Sequence, residues 1–302
     1  MVPSCMPPPR YDVVIVGGGP AGMSAALILG RARRSVLVLD DGRPRNAPSA
    51  AAHGFLTRDG TDPAVFRRIA REEVARYGVE IRATRAVAVE GSDGAFTVRA
   101  AEGEPAVGRK LLLATGVEDV LPPWEGLPDL WGRSVFHCPY CDGWEFRDRP
   151  LAAWGPGTEG ARLAEALRDW SAEVLLCTDG ARAPRVSGLR VRTERIARLE
   201  GRDGRLERIV FERGEPETPA AFFLHPPTRQ RSELPAVLGV PFTRRGAVKT
   251  GKHEGTGIPG VWVAGDASRD VQWVVIAAAE GAQAAFAIHR ELRAEDRAGR
   301  RG

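Results

Sequence analysis

Residues 11–22, Tyr-Asp-Val-Val-Ile-Val-Gly-Gly-Gly-Pro-Ala-Gly, constrain the fold more than any other stretch. The β-branched run reads as a buried strand, and it passes directly into Gly17-x-Gly19-x-x-Gly22. Met23 to Arg34 then reads as a helix, and Ser35-Val-Leu-Val-Leu39 as a second strand closing on Asp40-Asp41. Strand, glycine turn, helix, strand and acid, in that order, make a dinucleotide-binding unit. The glycines let the backbone approach a pyrophosphate at the helix N-terminus, and an acid about 20 residues on accepts from a ribose hydroxyl. Gly17, Gly19, Pro20, Ala21 and Gly22 are the candidate phosphate cradle, with Asp40 or Asp41 as the ribose acceptor.

The pattern recurs. Leu151–Trp154 leads into Gly155-Pro-Gly157-Thr-Glu159-Gly160, a helix expected through Trp170, and the strand Glu173–Cys177. The expected fold class is α/β with two Rossmann-like units, and 302 residues suffice for two cores. Between the fingerprints, Asp62–Tyr77 reads as an amphipathic helix with Asp62 as N-cap and Pro63 at the first helical position. Strand-like segments follow at Val79–Ala83, Ala86–Glu90 and Phe96–Ala100, then a buried strand from Lys110 that ends in Ala114-Thr115-Gly116. Beyond the second fingerprint, Val191–Leu199, Arg208–Arg213 and Ala221–Leu224 read as strands. Gly260–Asp266 is another buried strand ending in small residues and an acid. An Ala-rich helix is expected from about Asp270 to Leu292, with Arg293–Gly302 frayed. The loop Arg43–Gly60 is long enough to be functional. It contains Arg45-Asn46 and also His53, which reads as an ordinary loop histidine in preference to one lying over a cofactor.

Composition excludes several classes. Net charge is +4, and the basic residues, only three of them lysine, are interleaved with acids. No nucleic-acid surface is expected from that pattern. No stretch reaches 18 uninterrupted apolar residues, so no membrane span is expected, and Met1–Arg10 lacks the apolar core of a signal peptide. Four cysteines are too few and too uneven for a secreted disulfide framework, so a reducing cytoplasm is the expected setting.

In that setting Cys138-Pro139-Tyr140-Cys141-Asp142 stands out. Cysteines at i and i+3 at a helix start can close a small disulfide ring, and the helix dipole favours a thiolate there. Pro139 suits the first turn, where its missing N–H costs nothing. Zinc would need four ligands, and there is no second Cys-x-x-Cys, so no metal is expected. Cys5, in the N-terminal tail, and Cys177, at a buried strand end, read as inert.

Gly17–Gly22, Ala114-Thr115-Gly116, Cys138–Gly143 and Ala264-Gly265-Asp266 with its helix stand in the order found in the low-molecular-weight thioredoxin reductase family, and the chain resembles that family over nearly its whole length. The resemblance implies an FAD-binding domain of residues 1–118 and 245–302, with an NAD(P)-binding-like domain of residues 119–244 inserted and carrying the dithiol. It implies FAD held by Gly17, Gly19 and Gly22 at the pyrophosphate and by Asp40 or Asp41 at the ribose. Asn46, Thr115, Gly116, Gly265, Asp266, Gln272 and Trp273 complete the cofactor set. Asp266 matches the acid of the pyrophosphate–ribityl region, and Gln272-Trp273 the helix start beside the flavin, where a positive dipole end stabilises reduced flavin. Cys141 would attack flavin C4a, Cys138 would exchange with the substrate, and Asp142 would act as general acid/base. Homodimerisation is expected on the same basis.

Two departures bear on the direction of electron flow. Bulky residues, Pro139-Tyr140 with Trp144 and Phe146, surround the cysteines where thioredoxin reductases usually have small ones. That set looks more like the dithiol oxidases of the family, which close disulfides in small natural products with oxygen and without NADPH. The second fingerprint strand also runs into Thr178-Asp179-Gly180, without the His-Arg-Arg cluster that grips a 2′-phosphate. Asp179 would repel that phosphate, and Glu159 at the helix start competes with a pyrophosphate. Arg182 and Arg185 keep NADPH in question, and the spacing of Asp179 would suit NADH. The expected partner is a small-molecule dithiol or disulfide, or a thioredoxin-like protein. The reading leans to dithiol oxidation over NAD(P)H-dependent disulfide reduction, with a flavoprotein sensor as a distant third.

Overall fold

The computed structural model describes residues 10–182 and 187–300. Cys5 and Arg185 lie outside them. By contacts the chain forms two units, one of Met1–Arg45, Ala64–Glu118 and Arg229–Gly302, the other of Asn46–Pro63 and Asp119–Thr228. The segment Asn46–Pro63 packs with the second unit.

The first unit is built on a seven-stranded sheet. Strands Glu80–Arg82, Val36–Leu39, Arg10–Val16 and Ala106–Leu113 lie side by side and parallel. The far edge of Ala106–Leu113 is shared. Its C-terminal half pairs in parallel with Val261–Val263, and its N-terminal half pairs antiparallel with Ala95–Ala100 of the hairpin Ala86–Ser92/Ala95–Ala100. Alternation along each strand fills two cores. Val13 and Ile15 face the helices Pro20–Arg31 and Val274–Gly299, while Val14 and Val16 pack with Leu37, Leu39, Phe96 and Val263.

The second unit repeats the logic with five parallel strands, in the order Arg190–Arg192, Val174–Cys177, Leu151–Trp154, Ala221–Leu224, Val135–Phe136. Leu175, Phe222 and Leu224 fill one face, and Leu151, Leu176 and Phe223 the other. Among the described residues no helix is long and apolar enough to cross a membrane.

Three elements differ from the sequence reading. The segment expected as a single strand, Val191–Leu199, is two, Arg190–Arg192 and Ile196–Arg202. The helix after the second glycine turn ends at Leu167, not Trp170. The last helix starts at Val274 and continues to Gly299, so most of the stretch expected to fray is helical. The cause is a buried lysine. Lys110 is fully buried, and its Nζ meets Asp93 Oδ1 at 2.6 Å, Glu295 Oε1 at 2.5 Å and Glu291 Oε2 at 3.3 Å. Arg109 adds Asp296 at 2.8 Å, and Arg34 adds the same residue at 2.7 Å. A buried ammonium without these carboxylates would cost several kcal/mol, roughly, so the acids hold the helix end in place. Lys110→Met with Glu295→Gln is expected to retain stability far better than Glu295→Gln with Glu291→Gln, measured by urea unfolding.

Candidate functional site

In the first unit the strand Arg10–Val16 delivers the chain to the start of helix Pro20–Arg31. Gly19 is the N-cap, with no side-chain cap, Pro20 follows without an N–H, and no acid stands in the first turn. The N–H groups at the helix start have no acceptor inside the helix, so the site is open to an anion. The glycines divide the work. A Cβ on Gly22 would lie 1.9 Å from the Gly17 carbonyl oxygen, so Gly22 serves the tight turn. A Cβ on Gly19 would meet nothing within 4 Å, so Gly19 leaves room. Beside them the Thr115 hydroxyl oxygen is buried without a hydrogen-bond partner, followed by Gly116 in the left-handed region at φ +67°. Open backbone donors, empty space at Gly19 and an orphaned hydroxyl fit the pyrophosphate-bearing part of FAD.

Asp40, the expected ribose acceptor, is buried and receives Arg67 at 3.2 Å, Arg71, and the Gly42 N–H at 3.3 Å. Asp41 pairs with Arg43 and Arg231. Burial pushes the Asp41 carboxyl up, but the Arg43 N–H and the two guanidiniums outweigh it and hold it below the usual carboxylate range. Gly265 takes the left-handed region at φ +84° after the strand Val261–Val263, and its N–H donates to buried Glu280 at 2.7 Å. Arg45 joins the next two candidates, donating to Asp266 Oδ2 at 3.2 Å and to Gln272 Oε1. Trp273 is the N-cap of Val274–Gly299, whose first turn also lacks an acid. Asn46, the remaining member of the expected set, opens the segment that packs with the second unit, where its carbonyl accepts the Ser49 N–H at 3.1 Å.

Arg45 and Glu280 touch the expected cofactor residues without belonging to the expected set. Glu280 is the only signal of the two visible in the sequence, an acid inside the Ala-rich stretch 274–287. Arg45 sits in a loop among arginines, and nothing local sets it apart.

The second unit carries the cysteine pair. Cys138 and Cys141 form a disulfide with Cα atoms 5.3 Å apart. Cys138 caps the short helix Pro139–Asp142, and the Cys141 N–H donates to its Sγ at 3.1 Å. Cys138 is buried and Cys141 partly exposed. Phe136, Phe146 and Phe223 pack together behind the pair. On the solvent side Tyr140 and Trp144 are 67% and 64% exposed, a wide aromatic surface flanking the disulfide. Tyr140 stands edge-on to Trp170, and the Arg147 guanidinium covers Trp144 at 4.0 Å. Cys177 is free and buried, which pushes its thiol far up and leaves it inert.

Burial pushes the Asp142 carboxyl up to about 7, with His53 opposing the rise and Glu145 adding to it. Such a group gains and loses a proton near neutrality, as general acid/base work requires. Unfolded, it titrates near ~4. The folded state thus binds the proton more tightly across about pH 4 to 7, and the stability this contributes is lost as pH rises through the folded value. Asp142→Asn cannot ionise. It is expected to match wild type near pH 4 and exceed it at pH 8 by about 4 kcal/mol, read from thermal melts.

The second glycine turn leaves the same room at Gly157 as the first does at Gly19, and differs in the acid at its helix start. Gly155 and Gly160 pack against each other, and the helix Glu159–Leu167 opens with Glu159, which pairs with Arg162 at 3.0 Å. Asp179 takes φ +49°, and its Oδ1 accepts the Ile196 N–H at 2.7 Å, so it serves the turn into Ile196–Arg202. Arg182 is exposed.

With two dinucleotide-type units and a Cys-x-x-Cys disulfide described, the chain falls among flavin-linked disulfide enzymes. Residues 11–281 match the model of the pyridine nucleotide-disulphide oxidoreductases, and the chain belongs to that family. It is similar to the thioredoxin reductase tcpT of Claviceps purpurea, 34% identical over 84% of this chain and 86% of that one. Among solved structures it is similar to HlmI, at 36% identity and TM-score 0.89, covering 96% of this chain and 95% of that one. An oxidoreductase of Agrobacterium tumefaciens gives 33% identity and TM-score 0.87 over 94% and 98%. The fold is the expected pair of Rossmann-like units, and the protein is an FAD-dependent oxidoreductase of the disulfide class, of the thioredoxin reductase type.

Proposed function

We propose that the protein passes electron pairs from an external dithiol through Cys138–Cys141 to FAD, and that oxygen or another acceptor that is not NADP⁺ takes them on. Bound FAD supplies two-electron acceptor chemistry. The unit built on Arg10–Val16 would hold it, with Gly17, Gly19, Pro20, Ala21 and Gly22 at the pyrophosphate, Asp40 or Asp41 at the adenosine ribose, and Asn46, Thr115, Gly116, Gly265, Asp266, Gln272 and Trp273 along the rest.

At the dithiol the chain's own residues perform the exchange. A substrate thiolate attacks Cys138 Sγ, the Cys138–Cys141 bond breaks, and Cys141 leaves with the proton that Asp142 supplies. The second substrate thiolate attacks the mixed disulfide, the substrate S–S bond forms, and Cys138 is released as a thiolate facing the Cys141 N–H. The substrate is oxidised by two electrons and the cysteine pair reduced by two.

The observation that supports this direction is the second glycine turn. Glu159 puts a carboxylate in the first turn of the second-unit helix, where it competes with a pyrophosphate, and Asp179 is tied to Ile196. The exposed aromatic surface of Tyr140 and Trp144 suits a small apolar dithiol. The alternative is an NAD(P)H-dependent reductase of a thioredoxin-like disulfide. We take a reducing cytoplasm and a homodimer as the working setting. The test is aerobic turnover with a small dithiol and no nucleotide. One peroxide released per disulfide formed is the expected result, and turnover only when NADPH drives disulfide reduction would overturn it.

A further inference from the structure

A cleft of about 590 Å³ lies wholly within the first unit, and none of its lining residues belongs to the cofactor set or the cysteine pair. Its walls are the turn Lys252–Glu254 with the glycine-rich loop after it, the helix Val274–Gly299 at Ala287 and Arg290, and the hairpin tip at Asp93. That volume is within the range of small-molecule sites. At its base Trp262 is 4% exposed, and its Nε1–H donates to no protein atom among the described residues. A Cβ on Gly255 would lie 3.9 Å from that nitrogen, and Gly255 lines the cleft, so the glycine leaves the indole N–H uncovered on that side. A buried indole N–H ordinarily has an acceptor, and here the cleft is the side from which one can reach it.

The turn beside it is strained. His253 and Glu254, neither a glycine, take consecutive left-handed conformations at φ +54° and +64°. Such conformations are costly and persist only where the surroundings enforce them. Glu254 supplies the constraint: buried, its Oε2 accepts the Thr250 hydroxyl at 3.1 Å and Arg269 at 2.6 Å. The turn holds the His253 ring edge-on to Phe286, with centroids 5.7 Å apart, and the Arg290 guanidinium lies over the same Phe286 ring at 5.7 Å. Charge is divided across the mouth. Asp93 and Glu291 are held by Lys110 at 2.6 and 3.3 Å, whereas Lys252 and Arg290 are exposed and pair with no carboxylate among the described residues.

We propose that this cleft is a binding site for a small aromatic carboxylate, distinct from the flavin and dithiol chemistry. One carboxylate oxygen accepts the Trp262 N–H, and the charge is met by Lys252 and Arg290. One neutral donor and two cations suit the two oxygens of a carboxylate. The apolar lining at Ile258, Pro259 and Ala287 suits a flat hydrocarbon body.

The test titrates FAD-loaded protein, nitrogen-labelled at its tryptophans, with β-naphthoate and follows the indole N–H cross-peaks by NMR. The Trp262 peak is the one absent from Trp262→Phe. Gly255→Ala identifies it independently, because the methyl comes to 3.9 Å of Nε1 on a backbone, φ −68°, that alanine adopts. That peak is expected to shift saturably, with half-saturation below about 1 mM. β-Naphthamide keeps the acceptor but loses the charge, and should bind about tenfold more weakly. Acetate lacks the apolar body and should leave the peak in place at about 10 mM. Lys252→Gln with Arg290→Gln should weaken β-naphthoate about tenfold, with FAD content and melting temperature as in wild type. A Trp262 peak that β-naphthoate does not move, an equal shift with acetate, or equal affinity for the amide would overturn the inference. So would unchanged affinity in the Lys252→Gln/Arg290→Gln protein.

Discussion

Cys141→Ser is expected to yield a yellow, folded protein whose flavin is no longer bleached by dithiols, the rate falling on the order of a thousandfold or more. Without a second sulfur the pair cannot close a disulfide, so no oxidant faces the incoming thiol. The fold should survive. The Cys141 N–H to Cys138 Sγ bond comes from the backbone, and the lost ring is so short that its constraint on the unfolded chain is about 2 kcal/mol at most. Flavin absorbance in rapid mixing, with FAD content and melting temperature as controls, checks the result. Retained turnover in this variant would remove the cysteine relay from the mechanism.

The glycine cradle gives the second large effect, as a contrast between neighbours. Gly22→Ala places a methyl 1.9 Å from the Gly17 carbonyl oxygen, a backbone atom that cannot step aside. The turn must open, and a loss of about 1–3 kcal/mol or more in the apoprotein is expected, with no FAD retained. Gly19→Ala meets no protein atom within 4 Å, and its backbone, at φ −76°, is one that alanine adopts. Its apoprotein should melt like wild type, yet FAD affinity should fall about tenfold or more, because the methyl enters the space left for the pyrophosphate. Chemical denaturation of the apoproteins and FAD titration separate the two. Equal FAD affinity in Gly19→Ala and wild type would move the phosphate site elsewhere.

Much of this architecture was legible in the sequence because its signals are local. Tyr11–Gly22 and Leu151–Gly160 each announce a strand, turn and helix within a dozen residues, and the vicinal cysteines define their own ring. What was missed depends on contacts made across the chain. The helix end beyond Leu292 reads as a charged tail until Lys110 and Arg109 are seen to need Glu295 and Asp296. His53 reads as an ordinary loop histidine, and only the packing of 46–63 with the second unit puts Glu145 beside it. Arg45 gains its meaning from Asp266 and Gln272, both more than 200 residues away in the chain. Asp179 shows the reverse. Its spacing suited a ribose, but the turn at φ +49° and the bond from Ile196 give that carboxylate a structural task.

The most direct measurement is an anaerobic titration of the oxidised holoprotein, followed by flavin absorbance. The cysteine pair and the flavin together take four electrons, so a small dithiol should complete the bleaching at about two equivalents. NADPH or NADH at the same concentration should leave the flavin oxidised. Rapid bleaching by micromolar NADPH, with no response to dithiols, would contradict the proposed direction of electron flow.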